Sequence, residues 1–289
     1  MESTNALGEF LRARREQVRP EDAGIRRVGV RRVPGLRREE VAMLAGISSD
    51  YYLRLEQGRD RNPSVQVLEA LADVLRLDAD ATSYLIGLAQ ERPRAVPKPR
   101  PRAKTEPVPQ SILDLIEGWP NNPAYVQNKY TDVLAVNALC AALSPNYAIG
   151  VNLLSAVLLD PQEQVLRRDW DELTEEGVAI LRTELGPNVD DPRLTELVGE
   201  LSVRSERFRQ LWARHDVRPR RGRLSHLTHP EVGDLDLQSD KLTIGGTDGM
   251  TLVVFHAVPG SRDVESLALL GSLTASSDEV PERIIKPTD

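Results

Sequence analysis

Apolar residues recur every three to four positions in five stretches, 7–17, 37–45, 49–57, 65–75 and 81–90, each closed by Gly, Pro, Ser or Asp. That period lines one face of a helix, so the spacing predicts five amphipathic helices and an all-α domain over residues 1–90. Residues 91–109, ERPRAVPKPRPRAKTEPVP, alternate proline with basic residues. Proline removes helical hydrogen bonds, so this segment is expected to be an extended, semi-rigid linker. Beyond it the pattern predicts a helix at 111–117, short strands at 124–128 and 133–136, and amphipathic helices between 137 and 215. Strict alternation returns in DLDLQSDKLTIGGTDGMTLVVFHAV, where Gly-Gly-Thr-Asp-Gly between Ile244 and Met250 marks a hairpin. Residues 110–271 therefore predict an α+β domain with an antiparallel sheet covered by helices on one side, and the polar stretch 272–289 a flexible tail.

Charge divides the chain at the same place. Residues 1–104 carry 20 Lys and Arg against 15 Asp and Glu, while residues 105–289 carry 17 against 29, so the net -7 hides +5 and -12. Such asymmetry points to a nucleic-acid-facing part joined to something else. A single cysteine, Cys140, excludes an internal disulfide and a cysteine metal cluster. No apolar run reaches the roughly 20 residues that span a bilayer, and MESTNALGEF lacks the order of a signal peptide, so a cytoplasmic protein without a membrane partner is expected.

At about 100° per residue, Asp50, Arg54 and Gln57 share one arc with Tyr51 at its margin, while Tyr52 and Leu55 point away. Ahead of them Val41 and Ala45 stand one turn apart, Ala42 permits close helix approach, Gly46 permits a left-handed turn, and Ser48 or Ser49 offers an N-cap. A short, capped helix with one free face is what a helix-turn-helix needs to reach base edges in the major groove. The run GLRREEVAMLAGISSDYYLRLEQGRDRNPSVQVLEALADVLRL resembles the Xre/Cro-type helix-turn-helix, whose reading helix ends in the signature met here as Leu55-Glu56-Gln57-Gly58. The resemblance implies a reading face of Ser48, Ser49, Asp50, Tyr51 and Arg54 on double-stranded DNA, with Arg38 and Arg59 or Arg61 on the backbone. On such a face Arg54 suits a guanine, Asp50 a cytosine amine, and Tyr51 a thymine methyl or a phosphate. The long connection VRPEDAGIRRVGVRRVPG pairs Arg26 with Arg27 and Arg31 with Arg32. It reads either as an arm entering the minor groove and clamping phosphates or as a solvated loop that touches nothing.

In the second half, PAYVQNKYTDVLAVNALCAAL, RDWDELTEEGVAILRTEL, LVGELSVRSERFRQLWARHDV and HPEVGDLDLQSDKLTI resemble the C-terminal module of MmyB-like regulators. With the first half, the resemblance covers residues 6 to 270. It implies a PAS-like fold whose pocket takes a fatty-acid-like or other apolar small molecule, and no other cofactor. Trp170, Phe208 and Trp212 sit at helical spacing, which fits a packed core or a pocket lining alike. Asn137 between a strand and a helix serves equally as N-cap or ligand contact. Arg182, His215 and His229 offer polar anchors for a carboxylate or hydroxyl, although a lone histidine is more often structural. Nothing predicts an enzyme: His226 and His229 lie in a strand-like stretch, not on a helix, no nearby glutamate completes a metallohydrolase motif, and there is no G-x-S-x-G elbow. The expected protein is a homodimeric transcription regulator that senses a small molecule. The alternative is a DNA-bound adaptor whose acidic half docks a protein partner.

Overall fold

The computed structural model describes residues 5–25, 33–60, 62–89, 107–185 and 191–278. In chain order these form α1 (Ala6–Gln17), α2 (Arg38–Leu44), α3 (Ser49–Glu56), α4 (Val65–Val74), α5 (Ala79–Ala89) and α6 (Gln110–Glu117). Strands β1 (Ala124–Gln127) and β2 (Val133–Val136) follow, then α7 (Ala138–Leu143), α8 (Leu153–Leu159), α9 (Pro161–Leu166), α10 (Trp170–Leu185), α11 (Pro192–Arg204) and α12 (Glu206–Ala213). The chain closes with β3 (Arg223–His229), β4 (Gly233–Thr243), β5 (Thr251–His256) and α13 (Arg262–Asp278). No helix among them is long and apolar enough to cross a membrane.

These elements form two compact units, and the expected linker at 91–109 lies outside the described residues up to 106. One unit holds Met1–Arg102 together with Glu175–Pro219; the other holds Ala103–Thr174 and Arg220–Asp289. In the first, Leu7, Phe10 and Leu11 of α1, Val41 of α2, Tyr52 and Leu55 of α3, Leu68 and Leu71 of α4 and Leu85 of α5 make one buried core, which Val217 completes. The expected helices are there because their apolar stripes meet in that core, and their ends are marked by the expected residues. Gly46 has φ +68°, and the bonds Ile47 N–H to Ala42 O (3.0 Å) and Gly46 N–H to Met43 O (3.3 Å) close α2 in a Schellman turn. The same pair of bonds closes α3 at Gly58, with φ +66°.

The second unit is α+β, built on an antiparallel sheet of order β2-β1-β5-β4-β3. Alternation sets its faces: Leu235, Leu237 and Ser239 of β4 are buried while Asp234 and Asp240 are exposed. Helices cover both faces, not one. Tyr125, Val253 and Phe255 pack with Leu139 of α7 and Leu267 and Leu270 of α13, whereas Ala124, Val126 and Leu252 pack with Ile116 of α6. The interior strand β1, between β2 and β5, is buried throughout for that reason. Polar residues at 272–278 do not end the last helix, because α13 runs on to Asp278. Ser272 and Thr274 donate their hydroxyls to the carbonyls of Ala268 (2.9 Å) and Leu270 (2.8 Å), which satisfies them within the helix.

Candidate nucleic-acid interface and ligand site

The α3 helix begins at an N-cap, Ser48, whose hydroxyl accepts from Tyr51 N–H at 3.1 Å. Its apolar residues Tyr52 and Leu55 are buried, and this turns Ser49, Asp50 and Arg54 outward with Tyr51 half-buried beside them. Arg54 holds its guanidinium 5.6 Å from the Tyr51 ring centroid, so the cation is steadied over an aromatic face while its donors stay free to reach outward. Arg59, just past the helix, is also exposed. Ser49, Asp50, Tyr51 and Arg54 therefore come together on one face of a short helix, with Arg59 just beyond its end. Arg26, Arg27, Arg31, Arg32 and Arg61 lie outside the described residues.

What holds that face in place is a buried charge cluster not anticipated from the sequence. Glu56, the acidic member of the signature, accepts from Arg15 Nε of α1 at 2.7 Å and from Arg38 Nε of α2 at 2.5 Å. Arg15 also donates to Leu36 O at 2.9 Å, and Glu56 O accepts from the Asn5 side chain at 2.5 Å. One carboxylate thus ties α1 and α2 to α3. Arg38 is engaged through Nε but nearly half exposed, so the same guanidinium keeps donors for a phosphate. The signal was present in the spacing: Arg15 falls four residues after buried Leu11, and Glu56 four after buried Tyr52, which puts two charges on core-facing stripes.

The residues expected to hold a ligand separate into two groups. Arg182, Phe208, Trp212 and His215 belong to the first unit and Asn137, Trp170 and His229 to the second. Phe208 stacks on Trp212 with centroids 5.4 Å apart, and the Arg182 guanidinium lies 3.8 Å from the Trp212 ring centroid. Arg182 donates to Trp212 O at 2.6 Å and meets His215 Nδ1 at 3.2 Å. Burial, followed by the neighbouring Arg182 and Arg14, lowers the His215 pKa to about 4, so its ring is neutral near pH 7. In the second unit Trp170 donates to Val157 O at 2.7 Å. His229 Nδ1 accepts from Glu231 N–H at 3.2 Å, which leaves Nε2 as the donor to Ala142 O at 3.0 Å.

Asn137, one of the expected residues, borders a groove. A groove of about 560 Å³ runs between α6, the β2–α7 junction and α13, lined by Leu113, Ile116, Trp119, Val136, Leu139 and Ala275. Glu117, Asn137 and Thr274 supply its polar atoms. The Asn137 side chain caps α7 through Cys140 N–H (3.0 Å), accepts from Ala124 N–H (3.0 Å), and donates to the carbonyls of Ile116 (3.1 Å) and Asn122 (2.9 Å). It therefore pins two walls of the groove together. A second cluster also went unforeseen: Arg167, buried, pairs with Glu163 at 3.2 Å and donates to Tyr147 Oη at 2.9 Å. Burial pushes the Tyr147 hydroxyl up to about 12, and raises the thiol of buried Cys140 far enough to keep it a neutral, inert thiol.

Comparison with known proteins agrees with this division of tasks. Residues 6–85 match a family model described as a helix-turn-helix domain, and residues 108–270 match the MmyB-like transcription regulator ligand binding domain. No curated protein matches the chain. The second match covers more than half of the sequence, and the chain belongs to the MmyB-like transcription regulators, with a DNA-binding helix-turn-helix domain ahead of that family's ligand-binding domain.

Proposed function

We propose that this regulator reads a two-fold symmetric operator as a homodimer and that its α/β unit senses a small apolar, fatty-acid-like molecule. The observation that carries the DNA reading is the free face of α3, where Ser49, Asp50 and Arg54 are exposed on a helix whose opposite side is locked into the core. Arg54 pairs with a guanine, Asp50 selects a cytosine amine at some cost in phosphate attraction, and Tyr51 touches a thymine methyl or a phosphate. Arg38 and Arg59, with Arg61, ground the domain on the backbone, and the paired arginines from Arg26 to Arg32 add sequence-independent attraction. One such helix covers few base pairs, so two are required, on half-sites about 34–36 Å apart or a multiple of it.

The ligand reading is supported by the groove beside Asn137. Its volume of about 560 Å³ falls within the roughly 300–1,000 Å³ of small-molecule clefts, and its walls are mainly aliphatic and aromatic with few polar groups. A chain with one polar end fits such walls. Ligand occupancy changes DNA binding only if the ligand prefers one arrangement of the protein over another.

Two measurements test this. Duplexes selected from a random pool by the full-length protein should share an inverted repeat, and Arg54→Ala should bind them about 1–3 kcal/mol more weakly while relaxing one base position. Unchanged binding by Arg54→Ala removes α3 as the reader. Native mass spectrometry before and after organic extraction should show a reproducible apolar mass that extraction strips. A chain that is empty throughout, ignores fatty acids and retains a protein partner supports the docking alternative instead.

A further inference from the structure

The ligand-binding family match spans residues 108–270, yet Glu175–Pro219, from the middle of that match, packs in one unit with the helix-turn-helix. Three sets of contacts attach it. Val217 is buried in the core formed by α1 to α5. Asp216 accepts from Arg14 of α1 at 2.7 Å, and Gln17 of α1 donates to Arg214 O at 2.6 Å. Arg182, clamped between the Trp212 ring and its carbonyl, acts electrostatically on Tyr84 of α5 and Glu9 of α1. The turn that presents Asp216 and Val217 is itself held at His215 in a left-handed conformation, φ +53°, uncommon for a residue with a side chain. None of these contacts falls on α3. They grip the two helices behind it, and the residue after Arg14 is Arg15, whose guanidinium holds Glu56 and through it shares a carboxylate with Arg38.

We infer that Glu175–Pro219 is the output element of the ligand-binding domain: its clasp on α1 and α5 sets the placement of α3 through Arg15 and Glu56, and ligand acts on DNA affinity by changing the clasp. This rests on the DNA and ligand readings proposed above. A shift of α1 cannot leave α3 behind while one carboxylate bonds both, and Gly8 of α1 packs so tightly on Glu56 O that a Cβ there would stand 2.2 Å from it. The segment that moves with the ligand-binding family's sequence is thus the segment that touches the reader's scaffold.

The test uses the full-length chain with Asp216→Asn, Val217→Ser and Arg14→Ala, followed by hydrogen exchange and by binding to a duplex that the wild type selects from a random pool. Each variant should speed amide exchange in α1 and α3 by about tenfold, leave β4 and β5 protected, and shift DNA affinity by about threefold or more. Arg14→Ala with Asp216→Asn should fall well short of the sum of the two single effects, since both remove the Arg14–Asp216 pair, while Asp216→Asn also weakens the 2.8 Å pair with Arg214. Faster exchange confined to residues 206–217, with α1, α3 and DNA affinity unchanged, overturns the clasp. Sodium dodecanoate is the ligand probe. Altered exchange in α6 and α13 without any change at 206–217 or in DNA affinity also overturns the inference while sparing the ligand reading. No dodecanoate effect anywhere counts against a fatty-acid ligand, and the variants alone then decide the clasp.

Discussion

At the scale of single residues, the side chains that hold α3 in place are not the ones that face outward. Glu56 sits almost wholly buried between two guanidiniums, and removing one partner of such a cluster leaves like charges facing each other without compensation. Glu56→Ala is expected to cost about 3–5 kcal/mol in urea unfolding of the full chain, far more than the near-neutral change expected at exposed Gln57. His215 supplies a pH signature. Its ordinary pKa of 6.5 falls to about 4 in the fold, so between those values the unfolded chain takes up a proton that the folded one refuses. The stability due to neutral His215 is whole above pH 6.5 and drains away as pH falls toward 4. His215→Asn tolerates the left-handed turn and cannot titrate, so its unfolding midpoint should drop less than wild type between pH 7 and pH 5.

Among the elements, α1 carries a test of packing against propensity. Glycine inside a helix normally costs about 1 kcal/mol against alanine, which makes Gly8→Ala look favourable. A Cβ at Gly8 would meet Glu56 O at 2.2 Å and the Asn5 side chain at 2.3 Å, so the exchange should instead lower the thermal midpoint. Most elements were legible from spacing. The five N-terminal helices, strand 133–136 and the hairpin around residues 244–250 appear where periodicity and turn residues put them, because each is dictated by contacts local in sequence. The extension of α13 was not, since its hydroxyls are satisfied by carbonyls four residues back and thus look, in sequence, like a polar tail. That misreading hid the α13 wall of the groove, leaving only Asn137 of the groove's residues foreseen. The exposed face of α3 was readable because a short amphipathic helix declares its free side. The partners of Glu56 and Arg182 were not, because whether a charge on a core stripe finds a buried partner depends on residues far away in the chain.

On the scale of the whole molecule, the two units divide the net charge less sharply than the cut at residue 104 does. Residues 1–102 with 175–219 carry 26 Lys and Arg against 24 Asp and Glu, or +2, and the remainder carry 11 against 20, or -9. Affinity for DNA must therefore come from local clusters of arginine and not from the average field. Replacing Arg26, Arg27, Arg31 and Arg32 together with alanine is expected to flatten the slope of log K against log salt by about 3 to 4, for any duplex sequence. A slope unaltered from wild type would show that these four arginines make no phosphate contacts. The division of the chain within α10, between Thr174 and Glu175, bears on how this molecule can be taken apart. A cut within the proline-rich stretch 91–109 removes Val217 from the core of α1 to α5 and strips Arg14 of Asp216, so the amino-terminal piece would carry a raw apolar surface into solution. Anyone building a biosensor by transplanting a new receptor onto this DNA reader must bring the three-helix segment 175–219 along as part of the reader, or supply a substitute for the surface it covers.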